Sequence, residues 1–247
     1  MKGLRREQGG YGAAAAASDR FSTMPRLCLI LFGSPGSGKG TQAKLLKESL
    51  GVAHISTGDM LRERVASGDE IGRSVASLMQ AGELVPDETV NRMVEERIEQ
   101  PDTAKGFILD GYPRTVQQAR LLAELLVLQP VRTIVIHLVV DYNVIIARIS
   151  GRRQCPTCGS LYGITSSAPK NPGVCDRDGA KLVVRDDDLE EVVRERLRAY
   201  EQQTSPVLAF FKRSGIPCWD VPAADVAPQV IAKGIEALIR KERGEAA

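Results

Sequence analysis

Leu27-Cys28-Leu29-Ile30-Leu31-Phe32 runs directly into Gly33-Ser34-Pro35-Gly36-Ser37-Gly38-Lys39-Gly40-Thr41, and the fold of this 247-residue chain follows from that junction. Six consecutive apolar residues are too few to span a membrane and read as a strand buried on both faces. Beyond the glycines, Ala43, Leu46 and Leu50 recur on one helical face, and Gly51 stands where a C-terminal cap is needed. Strand, glycine-rich turn and helix form the context in which Gly33-x4-Gly38-Lys39 reads as a phosphate-binding loop. Successive backbone amides curl around anionic oxygens, and the helix N-terminus adds partial positive charge. Lys39 supplies a mobile cation that can follow a phosphoryl group. Gly40 stands where a hydroxyl residue usually follows the lysine, and Thr41 comes one place later.

Outward from this junction, apolar runs at 52–55, 106–110, 133–140 and 217–221 read as four further strands, with helical periodicity between them. Helices are expected over 59–67 and 71–81, separated by Gly68 and closed by Gly82. Another starts at Pro86-Asp87-Glu88, and one more begins near Asp188. Alternating strands and helices predict a three-layer α/β fold with a five-stranded parallel sheet. Ligands then belong at the carboxyl ends of the strands. In that position Asp110, closing an apolar strand, suits a magnesium ion held through its waters. His54 and His137 read as strand residues with no metal-like partners nearby in sequence.

A net charge of +2 and 43% hydrophobic residues fit one substantial core and give no sign of a nucleic-acid or membrane-surface partner. Three of the five cysteines fall in one insertion, which favours a reducing, cytoplasmic setting over disulfides. There Cys155-x2-Cys158 is followed, after sixteen residues, by Cys175-x2-Asp178, two knuckles able to close a tetrahedral zinc site. Four protein ligands make such a zinc structural. Cys28 and Cys218 read as small core residues. Residues 1–24, with five consecutive alanines and no packing pattern, read as a disordered extension.

Taken together these runs resemble the adenylate kinase family. Gly33 to Gln42, including the glycine between Lys39 and Thr41, is similar to that family's phosphate loop. Ile55-Ser56-Thr57-Gly58-Asp59-Met60-Leu61-Arg62, Leu84-Val85-Pro86-Asp87 and Asp110-Gly111-Tyr112-Pro113-Arg114-Thr115 resemble its monophosphate site. Gly151-Arg152-Arg153, Arg185-Asp186-Asp187-Asp188 and Arg194-Glu195-Arg196-Leu197 resemble its lid and hinges, in the long-lid, zinc-binding bacterial form. The resemblance implies transfer of the terminal phosphoryl group of ATP to AMP with Mg2+ as cofactor, by a cytoplasmic monomer with a structural Zn2+. The alternative within the family is a GTP:AMP or UMP/CMP kinase.

The same resemblance implies the site. Gly36, Ser37, Gly38, Lys39, Gly40, Thr41, Arg148 and Arg152 would meet ATP. Thr57, Arg62, Leu84, Val85, Gly111, Arg114, Gln118, Arg185 and Arg196 would meet AMP, with Thr57 and Gln118 reading adenine. Lys39, Arg114, Arg152, Arg185 and Arg196 would carry catalysis. It also divides the chain into a core (25–55, 86–150 and 188–247), a monophosphate-binding insertion (56–85) and a lid (151–187). Two places depart from the family pattern: the lid stretch 164–174, and Asp225, where many relatives place a lysine beside adenine. No Asn-Lys-x-Asp motif supports guanine binding by a GTPase, and the aspartate-rich stretch around the second knuckle disfavours a nucleic-acid-binding zinc ribbon.

Overall fold

The computed structural model describes residues 25–127, 129–163, 167–224 and 226–245; the expected extension 1–24, part of the atypical lid stretch and Asp225 lie outside these. Strand β1 (Arg26–Phe32) leads through the glycine loop to α1 (Lys39–Leu50), then β2 (Ala53–Ser56), α2 (Thr57–Ser67) and α3 (Glu70–Ala81). Helix α4 (Asp87–Ile98), β3 (Gly106–Asp110), α5 (Val116–Val127), β4 (Val131–Val139) and α6 (Tyr142–Ser150) follow. A small hairpin, β5 (Arg152–Gln154) and β6 (Leu161–Gly163), opens the insertion. The chain returns through α7 (Glu190–Ala199), α8 (Ser205–Arg213), β7 (Cys218–Pro222) and α9 (Pro228–Arg243).

The five core strands are all parallel, in the order β2-β3-β1-β4-β7. Burial on both faces explains the unbroken apolar run of β1. Leu27, Leu29 and Leu31 pack with Ala43 and Leu46 of α1 and Ile231 and Ile235 of α9. Cys28, Ile30 and Phe32 turn the other way, toward Met93, Leu122 and Phe211. Each such fully buried aliphatic or aromatic side chain contributes roughly 1.5–3 kcal/mol relative to exposure. Among the described residues no helix is long and apolar enough to cross a membrane.

Local chemistry sets the element ends. Gly51 caps α1 at φ +63°, and its amide donates to the Lys47 carbonyl. The Ser56 hydroxyl accepts from the Asp59 amide at the start of α2, and the Asp69 carboxylate accepts from the Gly72 amide at the start of α3. Gly72 is required sterically, because a Cβ there would come within 1.9 Å of the Arg64 carbonyl oxygen. The helix expected from Asp188 is interrupted: Tyr200–Thr204 forms a π-helical turn between α7 and α8. Ser205 and Pro206 explain the restart, since proline at the second helical position lacks an amide that the first turn does not need.

Arg26 fastens the amino ends of the strands. Its guanidinium donates to the carbonyls of Ile98 (2.8 Å) and Thr103 (2.8 Å), to the Gln129 side chain (2.9 Å) and to the Thr103 hydroxyl (2.6 Å). It also lies 4.8 Å from the Phe107 ring centroid. The last carbonyls of α4 have no intrahelical partner, so Arg26 satisfies groups that burial would leave costly. Arg26→Met is therefore expected to lower unfolding free energy by about 2–4 kcal/mol. Urea unfolding checks the loss, and steady-state kinetics of the folded variant should be unaltered because Arg26 lies at the opposite end of the sheet from the site.

Candidate functional site

The parallel sheet brings the loop after β1, the end of β2 and the end of β3 side by side. Leu31 and Ser56 both register with Asp110. Over these ends opens a cleft of about 930 Å3, lined by the glycine loop, Asp110, Arg114 and the lid-side arginines. Gly38 caps α1 at φ +102°, a backbone region closed to most side chains, and so turns the first-turn amides of α1 toward the cleft. Gly36 also has no room for a side chain, as a Cβ would lie 2.8 Å from Ile149 Cγ1. Lys39 Nζ donates to the carbonyls of Gly33 (2.7 Å) and Ser34 (2.9 Å), which holds it over the loop. Ser37, Gly40 and Thr41 complete this wall.

Cations converge on the cleft from several elements and are held by few acids. Arg62 donates to Asp59 at 2.6 Å and lies 3.6 Å from Asp187. Arg196 donates to Asp187 at 2.9 Å, and Arg152 pairs with both oxygens of the buried Asp188. Arg114 donates through Nε to the Gly111 carbonyl at 2.8 Å, and Arg185 through Nε to the Gln154 side chain. Arg148 donates to the carbonyls of Ala223 (2.7 Å), Ala224 (2.5 Å) and Ser37 (3.4 Å), between the loop and the turn after β7. Lys44 of α1 donates to the Gly159 carbonyl at 2.9 Å, tying the first knuckle to the core.

The electrostatic consequence is a site with too much positive charge for its solvation. Burial lowers the Lys39 ammonium to about 8, with Arg114, Arg196 and Arg152 adding repulsion against the attraction of Asp110. Burial also lowers Arg114 and Arg185 to about 10, reinforced by Arg196 at the first and by Arg62 and Arg152 at the second. Arg196 is lowered for the same first reason. Arg152 is the exception: burial lowers it, but Asp188 together with Asp187 and Asp110 raises it overall. Bound phosphates would relieve what the acids here leave unbalanced.

Beside the cleft lies a smaller cavity of about 60 Å3, lined by Thr57, Arg62, Leu84, Val85 and Gly111 together with Arg114, Gln118 and Arg196. Thr57 donates its hydroxyl to the Gly111 carbonyl at 2.9 Å, which leaves its oxygen free to accept. The Gln118 amide accepts from the Arg114 backbone N–H at 2.7 Å and donates to Asp87 at 2.8 Å.

In the insertion, Cys155, Cys158, Cys175 and Asp178 place one donor atom each within 4.8 Å of one another. The Cys158 and Cys175 sulfurs are 3.5 Å apart, and both Asp178 oxygens lie 3.3 Å from the Cys155 sulfur. These separations fit the edges of about 3.5–3.8 Å expected of a tetrahedron with Zn–S near 2.3 Å and Zn–O near 2.0 Å. The Cys158 amide points at the Cys155 sulfur (3.4 Å) and the Arg177 amide at the Cys175 sulfur (3.5 Å), which stabilises thiolates. Tyr162 accepts from the Asp176 amide at 2.8 Å and donates to Cys175 at 3.4 Å.

Several partners have no sequence signal. His54 was expected only as a strand residue; its Nε2 lies 3.3 Å from Asp110 Oδ2, beside the position assigned to magnesium. Asp187 and Asp188 were expected only near a hinge, yet they pair the arginines. Their spacing in an acidic triplet gives no hint of which cation each meets.

The family model described as adenylate kinase matches residues 31–216. The chain is similar to the adenylate kinase of Archaeoglobus fulgidus, 47% identical over 215 residues that cover 86% of this chain and 98% of that one. It is 46% identical to the adenylate kinase of Anaeromyxobacter dehalogenans strain 2CP-1 over 88% of this chain and all of the relative. With that of Anaeromyxobacter sp. strain Fw109-5 it shares 50% identity, over 77% of this chain and 89% of the relative. A match running from β1 through α8 takes in the glycine loop, the cation cluster and both knuckles, and on that extent the chain belongs to the adenylate kinase family.

Proposed function

We propose that the chain catalyses ATP + AMP ⇌ 2 ADP, with ATP in the large cleft and AMP in the adjoining small cavity. The observation that carries this reading is the meeting of two phosphate-binding sets at one place. Lys39 and the loop amides come from one side, Arg62 and Arg114 from the other, and Arg152, Arg185 and Arg196 lie between. Phosphoryl transfer needs in-line positioning and positive charge around the transferring group rather than covalent help. Lys39 would follow the transferring phosphoryl, and Arg114 would fork onto the acceptor phosphate. Asp187 and Asp188 release Arg196 and Arg152 toward phosphate as the lid and the helical insertion close, which also excludes water.

The residues at the end of β3 fit a magnesium ion that travels with ATP, since Asp110 is a carboxylate facing the loop across Gly40, where a Cβ would sit 3.4 Å from Oδ2. When bound, that ion neutralises phosphate charge; Asp110 would hold its waters. For the acceptor base, the open lone pair of Thr57 and the remaining donor and acceptor of Gln118 match the amino group and ring nitrogen of adenine. The Cys3Asp cluster would hold zinc as a structural ion that braces the lid.

A coupled ADP-formation assay with ATP and AMP tests the proposal, and Lys39→Met is expected to lower turnover at least about a thousandfold without loss of the fold. Near-normal turnover in that variant at saturating substrates would remove the role of Lys39. Elemental analysis should find about one zinc per chain. Cys175→Ser should abolish it and lower the temperature at which lid amides exchange before those of the sheet. Zinc-free protein from metal-replete growth would contradict that site.

A further inference from the structure

We infer that Asp87 is a specificity-determining positioning residue: it fixes the orientation of the Gln118 amide and so selects the acceptor base. The inference rests on the reading above in which Gln118 contacts that base. Gln118 is almost wholly buried, at 2% exposure, and lines the small cavity, whereas Asp87 lies behind it and outside the cavity lining. An amide can point two ways, with opposite donor and acceptor polarity toward a ligand. Here Oε1 receives the Arg114 backbone N–H at 2.7 Å, and Nε2 donates to Asp87 Oδ1 at 2.8 Å. A backbone N–H can only donate and an ionised carboxylate can only accept. The reversed amide would therefore face donor to donor and acceptor to acceptor, and only one orientation satisfies both neighbours.

Asp87 is itself held. Its second oxygen accepts from the Thr115 hydroxyl at 2.6 Å, and Thr115 Oγ1 in turn accepts the Gln118 backbone N–H at 3.1 Å. The carboxylate, at the first residue of α4, thus fastens both the start of α5 and the side chain that α5 presents to the cavity. Tyr112 closes the back of the arrangement, its hydroxyl donating to Asn91 of α4 at 2.8 Å. One acceptor site on Oε1 and one N–H on Nε2 remain for a base. In the fixed orientation they suit adenine, which offers an amino donor beside a ring-nitrogen acceptor. Hypoxanthine is nearly the same shape and reverses both polarities.

The test compares kcat/KM for AMP and IMP at fixed ATP in the wild-type protein, Asp87→Ala, Asp87→Asn and Gln118→Ala. Asp87→Ala is expected to narrow the AMP-over-IMP ratio by roughly tenfold, through the KM values of the monophosphates and with the KM for ATP unmoved. Asp87→Asn keeps an acceptor for Nε2 and should restore most of the ratio. A purely structural role, through the acid's charge at the start of α4, would move both variants alike, because both lose that charge. Should Asp87→Ala not fold, Asp87→Gly, which also offers no side-chain acceptor and is tolerated at helix starts, takes its place with the same expected narrowing. An unchanged ratio in the folded variant overturns the inference. If Gln118→Ala collapses the ratio while Asp87→Ala does not, only the role of Asp87 fails. If Gln118→Ala leaves the ratio intact, the reading of Gln118 as the base contact fails with it.

Discussion

The burial of many like charges in one place is the constraint on which this structure turns. Lys39, Arg62, Arg114, Arg152, Arg185 and Arg196 face one partly closed cleft, and water solvates them poorly there. Asp110, Asp187 and Asp188 offset part of that cost, yet burial together with Arg114, Arg196 and Arg152 still lowers the Lys39 ammonium. Removing one acid would strand a buried cation; removing one arginine would strand an acid. The cluster is stable as a set, and it is poised for anions because its compensation is incomplete. Its members come from the glycine loop, α2, the turn after β3, the lid strand, the lid's return and α7, so the proposed closure over phosphates would also complete the charge balance.

The sheet supplies the fixed frame for that event. Five parallel strands buried on both faces put the loop after β1 and Asp110 in register. Arg26 ties the far ends of the strands, well away from the chemistry. The elements over the cleft have lighter attachments: Lys44 to Gly159, Arg152 to Asp188, Arg62 to Asp187. Each is a bond between a charged group and an atom that phosphate or solvent can replace. The two knuckles give the lid a local scaffold of its own, which a short hairpin of three-residue strands would not otherwise have.

Much of this was legible in the sequence wherever a local rule carries the structure. The apolar run into Gly33–Thr41, the Gly51 cap, the helix start at Asp87 and the paired knuckles each depend on neighbours in the chain. What stayed hidden depends on residues far apart. Nothing local says that Asp187 and Asp188 pair with Arg196 and Arg152, that His54 reaches Asp110, or that Asp87 sits behind Gln118. The break at Tyr200–Thr204 was hidden for a different reason: helical periodicity continues across one widened turn, and only Pro206 marks the restart. The steric demand at Gly72 was also invisible, because a helix interior normally has room for a Cβ.

Within the cleft, burial holds Lys39 below the ordinary ammonium range, in reserve for phosphate. Its ammonium sits near 8 in the free protein, so about half of Lys39 is unprotonated there at pH 8. Phosphates raise that value toward or beyond the ordinary 10.5, so binding must draw a proton from the buffer. The uptake should vanish below about pH 7, where Lys39 is already charged. Calorimetric titration with a bisubstrate dinucleotide, repeated in buffers of different ionisation enthalpy, measures this directly. The account predicts uptake of about half a proton at pH 8, absent in Lys39→Met. No uptake between pH 7.5 and 8.5, or the same uptake in Lys39→Met, would contradict it.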